Sequence, residues 1–152
     1  MMTVYRICLE KWTHQLTASG FPARWNSKGT FVVYTAGSRA LACLENVVHR
    51  SGEGLNNDFR TMVINIPDTL KIAEISHENL PKNWTDIKAY SDCQKIGDAW
   101  IRERKTAVLR VPSSIIQNEY NYLLNPNHPD FYEIKLTQIE PFVFDSRIKG
   151  NL

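Results

Sequence analysis

Between Ala23 and Arg50 the chain reads ARWNSKGTFVVYTAGSRALACLENVVHR, and three side chains along it can do chemistry: Arg24, Tyr34 and Glu45. A guanidinium binds phosphate oxygens through a planar, bidentate fork. An aromatic face stacks on a ring and attracts a cation. A carboxylate stabilises positive charge that develops on a sugar, as in glycoside hydrolysis. Each residue also has an ordinary structural explanation. Arg24 can stack on its neighbour Trp25, Tyr34 can be a core aromatic, and Glu45 can pair with Arg39 or Arg50 at a helix rim.

The elements that carry these residues follow from pattern. SGFPARWNSKGT reads as loop from its Gly, Pro, Asn and Ser content, and FVVYT as a short buried strand. Ser38 is placed to cap a helix from Arg39 to about Arg50. Ala40, Leu41, Leu44, Val47 and Val48 fall on one face of that helix. Glu45 then lies roughly 90° from the centre of the face, at the rim of the core.

Upstream, TVYRICL has strand composition and holds Tyr5 and Arg6, while WTHQLTA is read as a short helix. SGEGLNND reads as loop. TMVINIP, LKIAEI and TAVLRVP read as strands, and CQKIGDAWIRERK as a helix. Ser113 and Ser114 follow Pro112 and are suited to capping whatever IIQNEYNYLL forms. FYEIKL and QIEPFVF read as a final strand pair. Six or seven strands and two or three helices, with the late strands consecutive, predict an α+β fold. Mixed or antiparallel sheets are expected, in one domain over residues 1–152.

Composition excludes several classes. The 18 basic and 16 acidic residues leave a net charge of +2, which argues against a nucleic-acid binder. Three dispersed cysteines and four dispersed histidines show no metal-ligand spacing, so no metal is expected. There is no P-loop, GxGxxG or GxSxG. The start MMTVYRICLE lacks the apolar stretch of a signal peptide, and no apolar run is long enough for a membrane helix. A cytoplasmic protein is the expectation.

YRI near the start, then RWNSKGTFVVYTAGSRALACLENVVH, VINIPD, IGDAW, VPSS and NYLLNPNHPD, resemble in order the RES domain family, from about Val4 to about Ser146. The resemblance implies the toxin half of a bacterial toxin–antitoxin pair, with a fold similar to that of ADP-ribosyltransferase toxins. It implies NAD as substrate, cleaved at the nicotinamide–ribose bond by hydrolysis or phosphorolysis. The alternative it implies is mono-ADP-ribosylation of a protein. An Xre-like helix-turn-helix antitoxin is the implied partner, and a homodimer within that complex would be unsurprising.

By the same resemblance Arg24, Glu45 and Ser113 match the arginine, glutamate and serine of the family name, with Ser114 left open beside Ser113. Tyr34 and Arg6 match further pocket positions, and Tyr5 is expected to contribute. The implied roles are a phosphate clamp for Arg24 and Arg6, a ring platform for Tyr34 and a charge stabiliser for Glu45. Ser113 would hydrogen-bond the nicotinamide amide or its ribose. The family pattern leads one to expect glycine before RWN, where Ala23 stands. A positive φ there would cost roughly 1 kcal/mol.

Overall fold

The computed structural model describes residues 1–49 and 58–148. Its strands are β1 (Met2–Leu9), β2 (Val33–Ala36), β3 (Phe59–Ile66), β4 (Ile72–Glu74), β5 (Val108–Pro112), β6 (Tyr120–Leu124) and β7 (Lys135–Phe142). They form a 7-stranded sheet in the order β4-β5-β6-β2-β1-β3-β7. Every pairing is antiparallel except β4 with β5. Two α-helices accompany it, α1 (Arg39–His49) and α2 (Tyr90–Glu103). The α+β expectation therefore holds, with a mixed sheet.

Alternation sorts the side chains between the two faces of the sheet. One face buries Val4, Val33, Met62, Ile64, Val108 and Leu124 beneath loops that contribute Leu70 and Ile134. The other face carries two further apolar groups. Under α2 lie Trp25, Cys93, Trp100, Leu109, Val111 and Leu123. Under α1 lie Ile7, Ala36, Leu41, Ala42 and Phe59. The two helices thus cover separate parts of one face, α1 over β1 and α2 over β5 and β6.

Three sequence expectations change. WTHQLTA is not a helix; the chain makes only a 3-10 turn over Glu10–Trp12, and the buried Thr13 hydroxyl donates to the Glu10 carbonyl at 2.7 Å. The segment after the two serines, left open by the sequence, supplies strand β6 through YNYLL, which pairs with both β2 and β5. The final strand pair is one strand, because FYE belongs to a 3-10 helix over Pro129–Glu133 with proline at its start. Pro141 is tolerated inside β7 because that strand is the edge of the sheet.

The third change concerns α1. Ser38 does cap it, its Oγ accepting from the Leu41 N–H at 3.1 Å. Its buried face, however, is Leu41 and Ala42, whereas Ala40, Leu44 and Val48 are exposed. Glu45 and Asn46 are half-buried beside Leu41 and Ala42, and the expected place of Glu45 at the rim of the core fits that partial burial. The expected helix end at Arg50, an Arg50–Glu45 pair and the SGEGLNN segment fall outside the described residues.

Candidate functional site

The sheet is incomplete at its centre. β1 and β2 are neighbours, but their register holds one pair, Tyr5 with Ala36. By contrast β1 and β3 pair along their full length, Met2 with Ile66 through Leu9 with Phe59. Beyond Tyr5 the first two strands part. The Ile7 carbonyl accepts from the Asn46 side-chain amide of α1 at 2.9 Å. Helix α1 thereby takes over a backbone group on the strand that borders the gap.

A cavity of about 560 Å³ opens there. Tyr5, Arg6 and Ile7 of β1 and Tyr34, Thr35 and Ala36 of β2 border it. Three consecutive residues from each strand means that both pleat directions reach the cavity. Ala42, Glu45, Asn46 and His49 of α1 form one side, and Tyr90 of α2 with the loop over 19–25 another. Pro112, Ser114 and Asn121 close the end toward β5 and β6. The size is ordinary for a small-molecule site.

The loop that bears Arg24 is held from three directions. Buried Asn26 donates its amide to the carbonyls of Phe21 (2.8 Å) and Thr30 (2.9 Å), and its Oδ1 accepts from the Tyr34 hydroxyl. The same hydroxyl accepts from the Trp25 N–H at 3.2 Å. Burial pushes the Tyr34 phenol well above the ordinary tyrosine range, so the hydroxyl stays protonated and can keep donating. From α2, Gln94 donates to the Ala23 carbonyl at 2.8 Å, while Asp98 accepts from the Ser27 N–H (3.0 Å) and its hydroxyl.

Gly97 explains how helix and loop come so close. A Cβ there would sit 1.7 Å from the Trp25 carbonyl oxygen. IGDAW is therefore the seat of the RWN turn: Gly97 admits the loop backbone and Asp98 pins it. Ala23 makes an isolated bridge with Asn26 and is not among the residues of positive φ, so no glycine is required before Arg24.

Arg24 itself reaches over α2. Its guanidinium lies 4.6 Å from the Tyr90 ring centre and 5.7 Å from that of Trp84, and it donates to the carbonyls of Trp84 and Thr85. Trp84 and Tyr90, rather than Trp25, are its aromatic partners. Arg6 donates to the Thr17 carbonyl at 3.0 Å. Glu45 does not pair with Arg39: its Oε2 lies 3.2 Å from His49 Nε2. Arg39 instead grips Glu140 of β7 with two bonds of 3.0 Å and covers the Tyr5 ring at 4.6 Å.

Five of the residues singled out in the sequence, Arg6, Tyr5, Arg24, Tyr34 and Glu45, thus border one cavity. Ser113 does not border it; its buried hydroxyl accepts from the N–H groups of Ile115 and Ile116, both at 3.0 Å, and Ser114 stands on the wall. His49, Asn46, Tyr90 and Asn121 also line the cavity and were not singled out in the sequence. For His49 a signal existed: it follows Glu45 by four residues on a helix. Among the described residues no group of three or more His, Cys, Asp or Glu is placed to hold a metal ion. No helix among them is long and apolar enough to cross a membrane.

A mixed sheet parted over a polar cleft, which two arginines, three tyrosines and a glutamate share, defines a small α+β protein with a candidate small-molecule site. Residues 3–145 match the RES domain, and the chain belongs to that family. It is 41% identical over 127 residues to the Prs ADP-ribosylating toxin of Sphingobium sp. (strain YBL2), covering 82% of this chain and 79% of that one. It is 34% identical over 155 residues to Toxin Res of Yersinia enterocolitica serotype O:8, covering 97% of this chain and 100% of that one. The fold is also that of a chain in the crystal structure of the M. tuberculosis MbcT–MbcA toxin–antitoxin complex. The TM-score is 0.72 at 19% identity, with 93% of this chain and 84% of that one covered.

Proposed function

We propose that this protein is the toxin of a bacterial toxin–antitoxin pair and that it consumes NAD by cleaving the nicotinamide–ribose bond. The observation that carries the reading is the convergence of Arg6, Arg24, Tyr34 and Glu45 on one cavity of about 560 Å³. Membership of a family whose relatives are named toxins supports the first half. The ADP-ribosylating relative supports the second, because NAD is the common donor of ADP-ribose.

The chemistry assigns each group. The glycosidic bond breaks toward an oxocarbenium-like state, and the carboxylate of Glu45 stabilises the charge that develops on the ribose. Nicotinamide leaves as a neutral base, so no acid is needed to expel it. A guanidinium has five N–H donors. Arg24 uses only some of its donors on the Trp84 and Thr85 carbonyls, which leaves others for the pyrophosphate. Arg6 serves the same anion. The Tyr34 ring offers a platform for the nicotinamide while its hydroxyl stays committed to the loop. Ser114, on the wall, is placed to meet the carboxamide or its ribose, the role that the sequence reading assigned to Ser113.

Water or phosphate then takes the ribosyl carbon. The second reading, favoured by the name of the Sphingobium relative, is that a side chain of a target protein takes it instead. An antitoxin partner, Xre-like by the family resemblance, would keep the activity in check. One experiment tests the whole: cellular NAD is measured before and after brief induction of the wild type and of Glu45→Ala, and lysates are given labelled NAD in parallel. Hydrolysis or phosphorolysis requires a rapid fall in NAD with the wild type only. A steady NAD pool with labelled protein bands would move the reading to protein modification. A toxic Glu45→Ala would refute the site.

A further inference from the structure

The proposed reaction uses the charge of Glu45 and leaves the histidine in contact with it without a role. His49 lies one turn farther along α1, and its Nε2 is 3.2 Å from Glu45 Oε2. Residues at i and i+4 stand over one another on a helix, so this contact is built into the backbone. Both side chains border the cavity. The Glu45 side chain is 23% exposed and that of His49 50%, so the carboxylate is the more sheltered of the two and the imidazole stands on its solvent side.

We propose that His49 is a positioning residue for Glu45 and that its neutral form is the working one. This rests on the NAD-cleaving reading given above. A neutral imidazole with its proton on Nε2 donates one hydrogen bond to the carboxylate. That bond fixes the carboxylate's orientation and leaves its negative charge whole for the ribosyl cation. An imidazolium at the same place sets a full positive charge against the carboxylate. The field that the ribosyl cation needs is then largely cancelled, the more so once substrate has displaced water from the cavity.

Among the described residues, the other charged or titratable groups that border the same cavity are Tyr5 and Arg6 from β1, Arg24 from the loop, Tyr34 from β2 and Tyr90 from α2. Imidazole is the side-chain type that ordinarily changes charge near neutral pH, and His49 is the histidine that borders the cavity.

The test is nicotinamide release from NAD by the purified full chain across pH 5 to 8, for the wild type, His49→Gln and His49→Ala. Glutamine keeps an N–H donor near the position of Nε2 but does not titrate. The wild type is expected to lose kcat on the acid side by about tenfold per pH unit below its inflection. His49→Gln should lack that limb and at pH 8 should retain more of kcat than His49→Ala. His49→Ala should lower kcat by roughly tenfold or more with KM little changed, since an interaction made in the transition state is what is removed. An acid limb in His49→Gln identical to that of the wild type would overturn the inference, and so would a wild-type kcat in His49→Ala at every pH. Release of no nicotinamide by the wild type would overturn the NAD reading itself, and this inference with it.

Discussion

Gly97→Ala isolates the part that α2 plays in the site without touching any group that would meet substrate. The added Cβ would stand 1.7 Å from the Trp25 carbonyl oxygen and 2.7 Å from the carbonyl carbon, both backbone atoms. Even the closest tolerable approach, about 3.0 Å, requires the RWN turn to retreat from α2 by more than 1 Å. The retreat stretches the Gln94–Ala23 bond of 2.8 Å and the Asp98–Ser27 bond of 3.0 Å, and it carries Arg24 with it. Overpacking of this kind costs about 1–3 kcal/mol, and the better helix propensity of alanine returns about 1 kcal/mol. The net loss of stability is therefore about 0–2 kcal/mol, and the chain stays folded. The site suffers more, because a displacement of about 1 Å in a positioning group can cost on the order of 100-fold in rate. The assay is NAD turnover beside a thermal melt, with Gly37→Ala as control, where a new Cβ meets nothing closer than 3.5 Å. Wild-type turnover by Gly97→Ala would refute the claim that α2 seats the arginine loop.

Two further outcomes follow from the contacts. Tyr34→Phe keeps the ring but strips the hydroxyl that serves buried Asn26 and the Trp25 N–H, so about 1–3 kcal/mol of stability should be lost, read as a fall of several degrees in the melting midpoint. The hydrogen bonds from Arg39 hold the Glu140 carboxyl below the usual range, so its folded-state proton affinity is lower than in the unfolded chain. That stabilisation is present above the unfolded carboxylate pKa and fades as pH falls through the depressed one. Melting of the wild type should therefore weaken on acidification in that window, and less steeply in Arg39→Ala, whereas equal acid dependence of the two would show the pair to be inert.

What the sequence revealed and what it concealed divide along physical lines. β1 was legible from its β-branched and aromatic composition, β3 from the alternation in TMVINIP, and α2 from Cys93, Gly97 and Trp100, which share the buried side of the helix. β6 was not, because YNYLL is partly polar and its Asn121 faces the cavity rather than the core. The face of α1 was misjudged for the same reason. Periodicity alone turned Leu44 and Val48 inward, yet the cleft needs Glu45 and Asn46 there, and the apolar pair is left exposed. Sites break the hydrophobic pattern because a ligand, not a core, is what they face. Arg24, Tyr34 and Glu45 were found by resemblance, whereas the roles of Gly97 and Asp98 required the distances between loop and helix. No local pattern in IGDAW announces a partner 71 residues away.

The single register pair between β1 and β2 has a bearing on the order in which the chain is made. It divides the sheet into β3, β7 and β1 on one side and β4, β5, β6 and β2 on the other. Neither side is contiguous along the polypeptide, since the strands of the two are interleaved from Met2 to Phe142. On a ribosome, β1 and β2 emerge early with all the arginines and the glutamate of the cleft, but β2 waits for β6, and β1 with β3 still lacks the outer strand β7. Pairings so distant form slowly and late. A nascent chain therefore cannot close the cleft from its early strands alone, because Asn121 of β6 borders it and β2 pairs with that strand.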